Sequence, residues 1–355
     1  MQFTNLYIAG YGNVGKVLVR MIAEGGDKIA LRTGRIIRIC GLSNSRHWVA
    51  DPEGIDASDA ASLLKKGASA AQGAFFRHLE SVPEGHNIFV DCTASQEVAS
   101  RYAGLCAAGF AIVACNKIAF AAPYASYASV KDAAIKGDVQ LRYETTVGAA
   151  LPIIASVARG VNSGDEIQSV EAVLSGTLNY IFSNYRGGTD GVTFAALVKR
   201  AMEAGYAEPD PRLDLSGTDV LRKLLILARE AGIPLESTDV ESSPAIGQEY
   251  FSLSLEEFFA SLEKNESSFA AAWKAAEDKG CRLRYVARLE KRHGSWYAST
   301  GLAEVPAGSI LYNLQGTDNC AVIKSEFYPS PLVIQGAGAG ASQTASGVLN
   351  DILSL

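Results

Sequence analysis

The first 150 residues alternate short, apolar, β-branched runs with stretches whose apolar residues recur at helical spacing. Such alternation is typical of a parallel sheet whose faces are covered by crossover helices. Strands are predicted over residues 6–9, 35–42, 87–92, 111–115 and 139–143. Helices are predicted over residues 14–23, 96–108 and 124–135. The fold class that follows is α/β, with a doubly wound parallel sheet of the Rossmann type.

The pattern changes from about residue 151. A predicted strand over residues 169–174 precedes helices over 177–184, 193–204 and 218–231, and an acidic stretch over 236–266 is predicted to be helical and exposed. Residues 282–289 and 296–303 alternate apolar and polar positions, which predicts an antiparallel sheet with one solvated face. We therefore expect a first domain over residues 1–150, a second α+β domain over 151–331, and a segment over 332–355 that returns to the first domain.

Length and charge narrow the class of protein. A chain of 355 residues exceeds what one hydrophobic core usually supports. The formal net charge of −6 argues against nucleic acid or an anionic membrane as the main partner. No run approaches the roughly 20 apolar residues of a membrane span, and residues 1–5 lack the basic and apolar regions of a signal peptide. A cytoplasmic location is predicted.

The cysteines are scattered and form no C-x-x-C pair: Cys40, Cys92, Cys106, Cys115, Cys281 and Cys320. Small, buried side chains in a reducing compartment are the favoured interpretation. A nucleophilic or metal-bound thiol is the alternative. The four histidines are predicted to lie at the surface, and none has the spacing of a zinc ligand set.

A glycine motif directly follows the first predicted strand: Gly10-Tyr11-Gly12-Asn13-Val14-Gly15. In a G-x-G-x-x-G turn, the first glycine permits the tight bend, the second lets a pyrophosphate approach, and the third lets helix and strand pack closely. Free N–H groups at the helix start then bind the anion. The motif, at the first strand-to-helix turn of an alternating pattern, predicts that residues 1–150 bind a dinucleotide cofactor. A merely tight turn is the alternative.

The end of the second predicted strand bears on which dinucleotide is bound. An acidic residue there would bind the ribose hydroxyls of NAD. The chain instead has Ser43-Asn44-Ser45-Arg46, and Arg46 could bind a 2′-phosphate, so NADP is favoured over NAD. The alternative is that Arg46 is a solvated loop residue.

Polar residues follow the next two predicted strands. Thr93 and Ser95 come directly after residues 87–92, at the edge of the sheet where ligands bind, although hydroxyl residues also cap helices. Lys117 follows the strand over 111–115, so it should lie at the same edge and contact a substrate oxygen. An ordinary surface lysine is the alternative.

A second polar constellation begins at Gly205-Tyr206-Ala207-Glu208-Pro209-Asp210-Pro211 and continues to Lys223. The proline-rich turn presents several carboxylates at one place. Asp219 and Lys223 are four residues apart and share a helix face, where an aspartate can hold a lysine that exchanges protons. Spacing alone leaves two alternatives open: a Ser216–Asp219 capping box, and an exposed Asp219–Lys223 pair of little energetic value.

The run over residues 205–227 resembles the signature of homoserine dehydrogenases, G-Y-x-E-P-D-P-x-x-D-L-S-G-x-D-V-x-R-K-L-x-I-L, and matches nearly every fixed position. The resemblance extends to the glycine motif, Asn116-Lys117, residues 144–149, residues 174–182 and the closing glycine-rich run over 336–340. It is similar to the short form and to the dehydrogenase half of the aspartokinase-fused form. No regulatory ACT domain is therefore expected.

The resemblance implies an enzyme that interconverts L-homoserine and L-aspartate 4-semialdehyde. It makes Lys223 the proton-exchanging residue, with Asp219 holding that lysine and Lys117 holding the reacting oxygen. It also implies further binding residues: Glu208 for the substrate ammonium, Tyr206 and Gly176 beside the substrate, and Gly176, Gly205 and Gly340 near the nicotinamide. Oxidation is expected to be favoured at alkaline pH, where an amine is more often neutral.

The resemblance also implies a monovalent cation, usually sodium, held mainly by backbone carbonyls of Glu144, Val147, Ala149 and Leu151. The chain departs from the family there, because Ala150 stands where a second glycine is common. A homodimer through the sheet of the second domain is expected. Two other functions stay open: a dehydrogenase of another small hydroxy or amino acid on the same fold, and a cofactor-binding protein without catalysis.

Overall fold

The computed structural model describes residues 2–355, which divide into two compact units. The first unit holds the described residues up to Ala150 together with Gly340–Leu355. The second unit holds Leu151–Ala339. Each unit has a sheet of its own.

The first unit contains a seven-stranded sheet in the order β4-β3-β2-β1-β5-β6-β7. Its strands are β1 (Gln2–Ala9), β2 (Arg35–Ser43), β3 (His47–Ala50), β4 (Ala68–Ser69), β5 (Asn87–Asp91), β6 (Ala111–Ala114) and β7 (Leu141–Arg142). Parallel pairing joins β2, β1, β5, β6 and β7 in that order. Beside β2, the strands β3 and β4 extend the sheet with antiparallel pairing. The predicted doubly wound α/β class is confirmed.

Helices connect these strands: α1 (Asn13–Thr33), α2 (Ala60–Lys66), α3 (Ala74–Leu79), α4 (Gln96–Ala99), α5 (Tyr102–Ala107), α6 (Ile118–Ala121) and α7 (Tyr124–Lys136). Every residue of β5 is buried, as expected for a central parallel strand that is covered on both faces. Leu6 and Ile8 of β1 form a core with the apolar face of α1. This core holds the glycine turn between β1 and α1 in place.

The second unit contains a six-stranded sheet in the order β13-β12-β8-β10-β11-β9. Its strands are β8 (Ile167–Val173), β9 (Val240–Ser242), β10 (Cys281–Arg292), β11 (Ser295–Pro306), β12 (Asp318–Ser325) and β13 (Leu332–Ala337). Its helices are α8 (Ile153–Asn162), α9 (Gly176–Asn184), α10 (Phe194–Glu203), α11 (Arg212–Leu215), α12 (Thr218–Glu230), α13 (Leu255–Lys264) and α14 (Glu266–Asp278). All pairings are antiparallel except β9 with β11.

The structure corrects two expectations from the sequence. The return to the first unit begins at Gly340 rather than at residue 332, because β13 pairs with β12 and thereby belongs to the second sheet. Only α15 (Ala341–Leu353) re-enters, and its Val348 and Ile352 join the core of the first unit. The acidic stretch over 236–266 is not uniformly helical, since it includes β9 at the edge of the second sheet.

No helix among residues 2–355 is both long enough and apolar enough to cross a membrane. All six cysteines are free thiols, and Cys40, Cys106 and Cys320 are buried. The other three are partly exposed.

A buried carboxylate couples α15 to the segment that follows β7. Asp351 is 8% exposed, and its Oδ2 accepts a hydrogen bond of 3.0 Å from the Glu144 amide. Burial raises the pKa of Asp351 to about 6. Because the folded chain binds this proton more tightly than the unfolded chain does, the ionised carboxylate lowers stability at neutral pH, and the stability gained by protonation is lost as pH rises through 6.

We predict that Asp351→Asn raises the free energy of unfolding at pH 8 by roughly 1–3 kcal/mol, since a shift of one pKa unit corresponds to about 1.4 kcal/mol. An asparagine oxygen still accepts from Glu144, and it carries no charge to bury. The gain should disappear by pH 4, where the parent carboxyl is protonated in the folded state. Urea denaturation at both pH values measures it, with the exposed Asp132→Asn of α7 as the control. An equal gain at pH 4 and pH 8 would contradict the prediction.

Candidate active site

The glycine turn lies between β1 and α1. Gly10 has φ +99, and a Cβ there would lie 2.7 Å from the carbonyl of Cys92. A Cβ on Gly15 would lie 2.0 Å from the Gly10 oxygen. By contrast, nothing lies within 4 Å of a Cβ on Gly12. The outer two glycines are therefore required by close packing, and the middle one leaves an open approach to the backbone, as a pyrophosphate needs.

A cavity of about 710 Å³ opens in front of this turn, within the size range of small-molecule sites. Most of its wall comes from three loops at the carboxyl ends of β1, β2 and β5: Gly10–Gly12, Ser43–Arg46 and Cys92–Ser95. The structure thus brings together Gly10, Gly12, Arg46, Thr93 and Ser95. Asn13, Val14 and Gly15 complete the motif as the first residues of α1.

Arg46 occupies a tight corner after β2. The Asn44 side-chain oxygen accepts hydrogen bonds of 2.8 Å from the amides of Arg46 and His47. This turn leaves the Arg46 side chain exposed on the cavity wall, where it can meet an anionic group. No side chain with a carboxylate lies in the corner itself.

One wall of the cavity was not predicted from the sequence. Ala70, Gly73, Phe75 and Phe76 line it, and they belong to the segment between β4 and β5 for which no element was predicted. The Arg101 guanidinium lies 5.4 Å from the Phe76 ring centre. The adjacent aromatic residues Phe75 and Phe76 were the only signal in the sequence.

The hydroxyls that follow β5 have structural partners as well as a place on the cavity wall. Ser95 caps α4, with its Oγ accepting from the Val98 amide at 3.3 Å. Thr93 Oγ1 accepts from the Ser95 amide at 3.1 Å. The capping interpretation is therefore correct for Ser95, and both residues still line the cavity.

Lys117 lies at the start of α6, just after β6, and is partly buried. The amide of Ile118 donates to the Asn116 side-chain oxygen at 3.0 Å, so the backbone on both sides of Lys117 is held. This position is at the carboxyl end of the parallel sheet, as the sequence predicted.

In the second unit, two partners of the Lys223 ammonium are described. It lies 2.8 Å from Asp219 Oδ2 and donates a hydrogen bond of 2.6 Å to the Leu174 carbonyl. The Lys223 side chain is 10% exposed, whereas that of Asp219 is 48% exposed. The interpretation as an exposed surface pair is therefore wrong for Lys223. Leu174 directly follows β8, a partner that the sequence did not indicate.

The start of α12 explains why the two side chains lie there. Gly217, and not Ser216, directly precedes the helix, with φ +73, and Ser216 Oγ accepts from the Thr218 amide. The capping-box alternative is therefore wrong, and the Asp219 carboxylate is available to Lys223. A Cβ on Gly217 would lie 1.8 Å from the hydroxyl of the buried Tyr285.

Asp214 ties the proline-rich turn to α9. Its carboxylate accepts from the Glu208 amide at 2.9 Å, and the Thr177 hydroxyl lies 3.0 Å from its other oxygen. That hydroxyl also donates to the Tyr206 carbonyl at 2.5 Å. Burial raises the pKa of Asp214, partly offset by these hydrogen bonds. The side chains of Tyr206 and Glu208 remain exposed beside the turn.

Gly176 and Gly205 belong to this second unit as well. A Cβ on Gly176 would lie 2.9 Å from the Thr317 carbonyl, and Gly205 has φ +70 in the turn before Tyr206. Gly340, in contrast, belongs to the first unit, immediately before α15.

The segment that resembles a cation site has an unusual backbone. Val147 and Ala149 are buried, and two consecutive residues, Gly148 and Ala149, have φ +79 and +52. A left-handed conformation at alanine is costly and reorients the neighbouring carbonyls. Glu144 opens the segment in the first unit, and Leu151 begins the second. Within residues 2–355 no group of three or more His, Cys, Asp or Glu side chains could hold a metal.

Comparison with known protein families gives two matches that together span most of the chain. Residues 152–353 match the family model described as homoserine dehydrogenase. Residues 10–144 match the model described as homoserine dehydrogenase, NAD binding domain.

Individual relatives carry similar names. The chain is 37% identical over 303 residues to a homoserine dehydrogenase of Emericella nidulans, covering 82% of this chain and 81% of that protein. It is 34% identical over 358 residues to a bifunctional aspartokinase/homoserine dehydrogenase of Haemophilus influenzae, covering 99% of this chain and 43% of that protein. The chain thus spans about two fifths of the bifunctional relatives that it matches. A crystal structure from Candida auris, described as a protein of unknown function, superposes with a TM-score of 0.88 at 29% identity, covering 100% and 98% of the two chains.

We predict that Gly217→Ala destabilises the second unit more than Gly232→Ala does. Both glycines have φ above +70, so both alanines incur a left-handed penalty of about 1–2 kcal/mol. Only the Gly217 substitution also overlaps Tyr285, which adds roughly 1–3 kcal/mol, because nothing lies near a Cβ on Gly232. Urea denaturation of the two variants measures the difference. Equal losses would show that Tyr285 does not constrain the start of α12.

Proposed function

We propose, since the chain belongs to the homoserine dehydrogenase family, that it catalyses the nicotinamide-dependent interconversion of L-homoserine and L-aspartate 4-semialdehyde. The observation that carries the proposal is the fixed ammonium of Lys223, between the Asp219 carboxylate and the Leu174 carbonyl. A primary ammonium held at one place can transfer a proton to or from a substrate oxygen. The glycine turn between β1 and α1 and the cavity in front of it supply the dinucleotide site.

The first unit is proposed to bind the dinucleotide through its backbone. The N–H groups of residues 12–15, at the start of α1, would bind the anionic pyrophosphate, and the positive end of the helix would add to the attraction. Thr93 and Ser95 line the cavity and would contact the bound dinucleotide. When bound, the nicotinamide supplies or accepts the hydride. Gly205 and Gly340 are assigned to its nicotinamide end by the family resemblance.

The second unit is proposed to manage the substrate. The Glu208 carboxylate is exposed beside a turn held by Asp214, and it suits the ammonium of the amino acid. Tyr206 and Gly176 are assigned to the same substrate. Lys223 donates a proton to the aldehyde oxygen in reduction and removes one from the homoserine hydroxyl in oxidation. Asp219 holds the lysine in place throughout, and we assign Lys117 as a second cationic group for that oxygen.

We propose NADP as the preferred cofactor over NAD. The corner over residues 43–46 presents hydroxyls and the exposed guanidinium of Arg46 rather than an acid. A guanidinium binds phosphate through two parallel hydrogen bonds, whereas an acid would repel it.

We further propose that Glu144, Val147, Ala149 and Leu151 hold a monovalent cation, with sodium the expected ion. The support is the pair of left-handed residues at Gly148 and Ala149, a backbone conformation that reorients the neighbouring carbonyls. Carbonyl oxygens are ligands that hard cations prefer. The cation would fix the segment, and no proton or hydride passes through it.

Three broader assignments complete the proposal. A homodimer through the second sheet is supported by exposed apolar side chains on that sheet, Leu302 and Val333. A cytoplasmic location suits a chain with six free thiols. A role in the biosynthesis of threonine and methionine follows from the proposed reaction, with no part for nucleic acid or membrane.

We predict homoserine-dependent reduction of NADP by the purified chain and its loss in Lys223→Ala. Removing a general acid–base group typically lowers kcat by about 100-fold to 10,000-fold. The matched control is Lys199→Ala, because Lys199 also pairs with a carboxylate at 2.8 Å but is 46% exposed. It should retain activity within about twofold. Absorbance of the reduced nicotinamide measures all three proteins.

Two outcomes would count against this proposal. Absence of homoserine-dependent turnover with either cofactor would exclude the proposed reaction. Turnover that survives in Lys223→Ala would leave the reaction standing and remove this lysine from the proton transfer. Circular dichroism of each variant establishes that the fold is intact.

We predict that Arg46→Ala raises the KM for NADP by about tenfold to a hundredfold and leaves the KM for NAD nearly unchanged. A hydrogen bond to a charged group contributes roughly 1.5–3 kcal/mol, and only NADP carries the phosphate. The control is Arg32→Ala, an exposed arginine at the end of α1. Equal changes for the two cofactors would show that Arg46 does not distinguish them.

A further inference from the structure

We propose that Asp91 is a positioning residue for this reaction, because its buried carboxylate joins the cofactor loop over residues 93–95 to the backbone that carries Lys117. The inference rests on the proposed function, since it concerns how that site is held. Asp91 is the last residue of β5, and no role was predicted for it from the sequence.

The Asp91 carboxylate is fully buried and accepts three hydrogen bonds. One oxygen accepts from the Thr93 amide at 2.7 Å. The other accepts from the Tyr102 hydroxyl at 2.6 Å and from the Asn116 side-chain amide at 3.0 Å. The residue is 0% exposed, so these donors replace the solvation of the charge.

Asn116 extends the connection to both loops. The same side-chain amide donates to the Ser95 carbonyl at 3.0 Å. Its oxygen accepts from the Ile118 amide, also at 3.0 Å. Lys117 lies between Asn116 and Ile118 in the chain. Its backbone is therefore held by the Asn116 side chain, which Asp91 orients. Asp91 therefore acts on two strand ends at once: the loop after β5 and the loop after β6.

The chemistry of the partners requires a carboxylate. All three groups around Asp91 are donors, and an ionised carboxylate offers only acceptors. An asparagine would turn its own N–H groups towards at least one of them, leaving a buried donor unsatisfied. Burial raises the pKa of Asp91, and the hydrogen bonds from Tyr102, Thr93 and Asn116 oppose that rise. Burying a charge lowers the stability of the folded chain, and this cost favours a positioning role for the Asp91 carboxylate.

The consequence for function follows from the cavity wall. Thr93 and Ser95 line the dinucleotide cavity directly. Loss of the Asp91 carboxylate would shift their loop and thereby change cofactor binding. It would also move the backbone of Lys117. Misplacement of a reacting group by about 1 Å can lower a rate by roughly 100-fold.

The test compares Asp91→Asn with Tyr102→Phe. Tyr102 belongs to α5 and to neither loop, so Tyr102→Phe removes a buried hydrogen bond from the same carboxylate while keeping both loop contacts. Asp91→Asn should lower kcat for homoserine oxidation at least about tenfold and raise the dissociation constant of NADPH several-fold. Tyr102→Phe should lower the melting temperature and leave both quantities within about twofold. NADPH binding is followed by its fluorescence, and turnover by absorbance.

The outcomes separate the inference from the proposed function. If the parent turns over homoserine and Asp91→Asn keeps its kcat and NADPH affinity, the inference is overturned and the function stands. If Tyr102→Phe loses activity as fully as Asp91→Asn, the effect is one of general stability, and the inference is again overturned. If the parent does not turn over homoserine, the function fails, and NADPH affinity still decides the cofactor half of the inference. Should Asp91→Asn not fold, Asn116→Ala breaks the same connection, and unchanged kcat there would overturn it.

Discussion

The ammonium of Lys223 is a cation placed where water scarcely reaches, and the second unit is arranged so that this charge is satisfied. The Leu174 carbonyl and the Asp219 carboxylate are its two described partners, at 2.6 and 2.8 Å. A buried cation without such partners would be strongly unfavourable, and a lysine with only exposed partners would not be held at one place. The half-exposed carboxylate of Asp219 leaves one side of the pair accessible to solvent.

The surrounding elements can be understood from that requirement. The strand β8 must end at Val173 so that the next carbonyl turns towards α12. The helix α12 must begin after Gly217, because only glycine fits beside Tyr285 with a left-handed backbone. Asp214 then ties the turn of Glu208 to the start of α9 through Thr177. In the first unit, the buried carboxylate of Asp91 has an analogous position, because the loops after β5 and β6 both donate hydrogen bonds to it.

Much of the fold could be predicted from the sequence, because long elements carry their own periodicity. The parallel strands β1, β2, β5 and β6, together with the long hairpin of β10 and β11, follow directly from runs of apolar or alternating residues. The short strands β3, β4 and β9 could not be predicted. Segments of two to four residues are too short to show an alternating pattern, and they become strands only by pairing with a neighbouring strand. The prediction that β13 belongs to the first domain was wrong for a related reason, because its pairing with β12 is a tertiary contact that the local sequence does not indicate.

The candidate site divides in the same way. Glycines and charged residues with fixed spacing, such as Gly10 to Gly15 and Asp219 with Lys223, could be identified from local sequence. Their partners could not: the Leu174 carbonyl is a backbone atom 49 residues away, and Asp91 meets Asn116 across 25 residues. Local spacing also left capping and ion pairing equally possible at Asp219. The structure distinguishes them, because Gly217 rather than Ser216 is the residue that directly precedes the helix.

Lys223 is proposed to exchange the proton, and the pH profile of homoserine oxidation would reveal this role. Oxidation requires the lysine to accept a proton, so kcat for the parent should rise from neutral towards alkaline pH, where an amine is more often neutral. Lys223→Arg keeps the charge but does not deprotonate in this range, so it should be nearly inactive at every pH. A flat profile for the parent, or an arginine variant with the parent's profile, would exclude Lys223 as the proton acceptor.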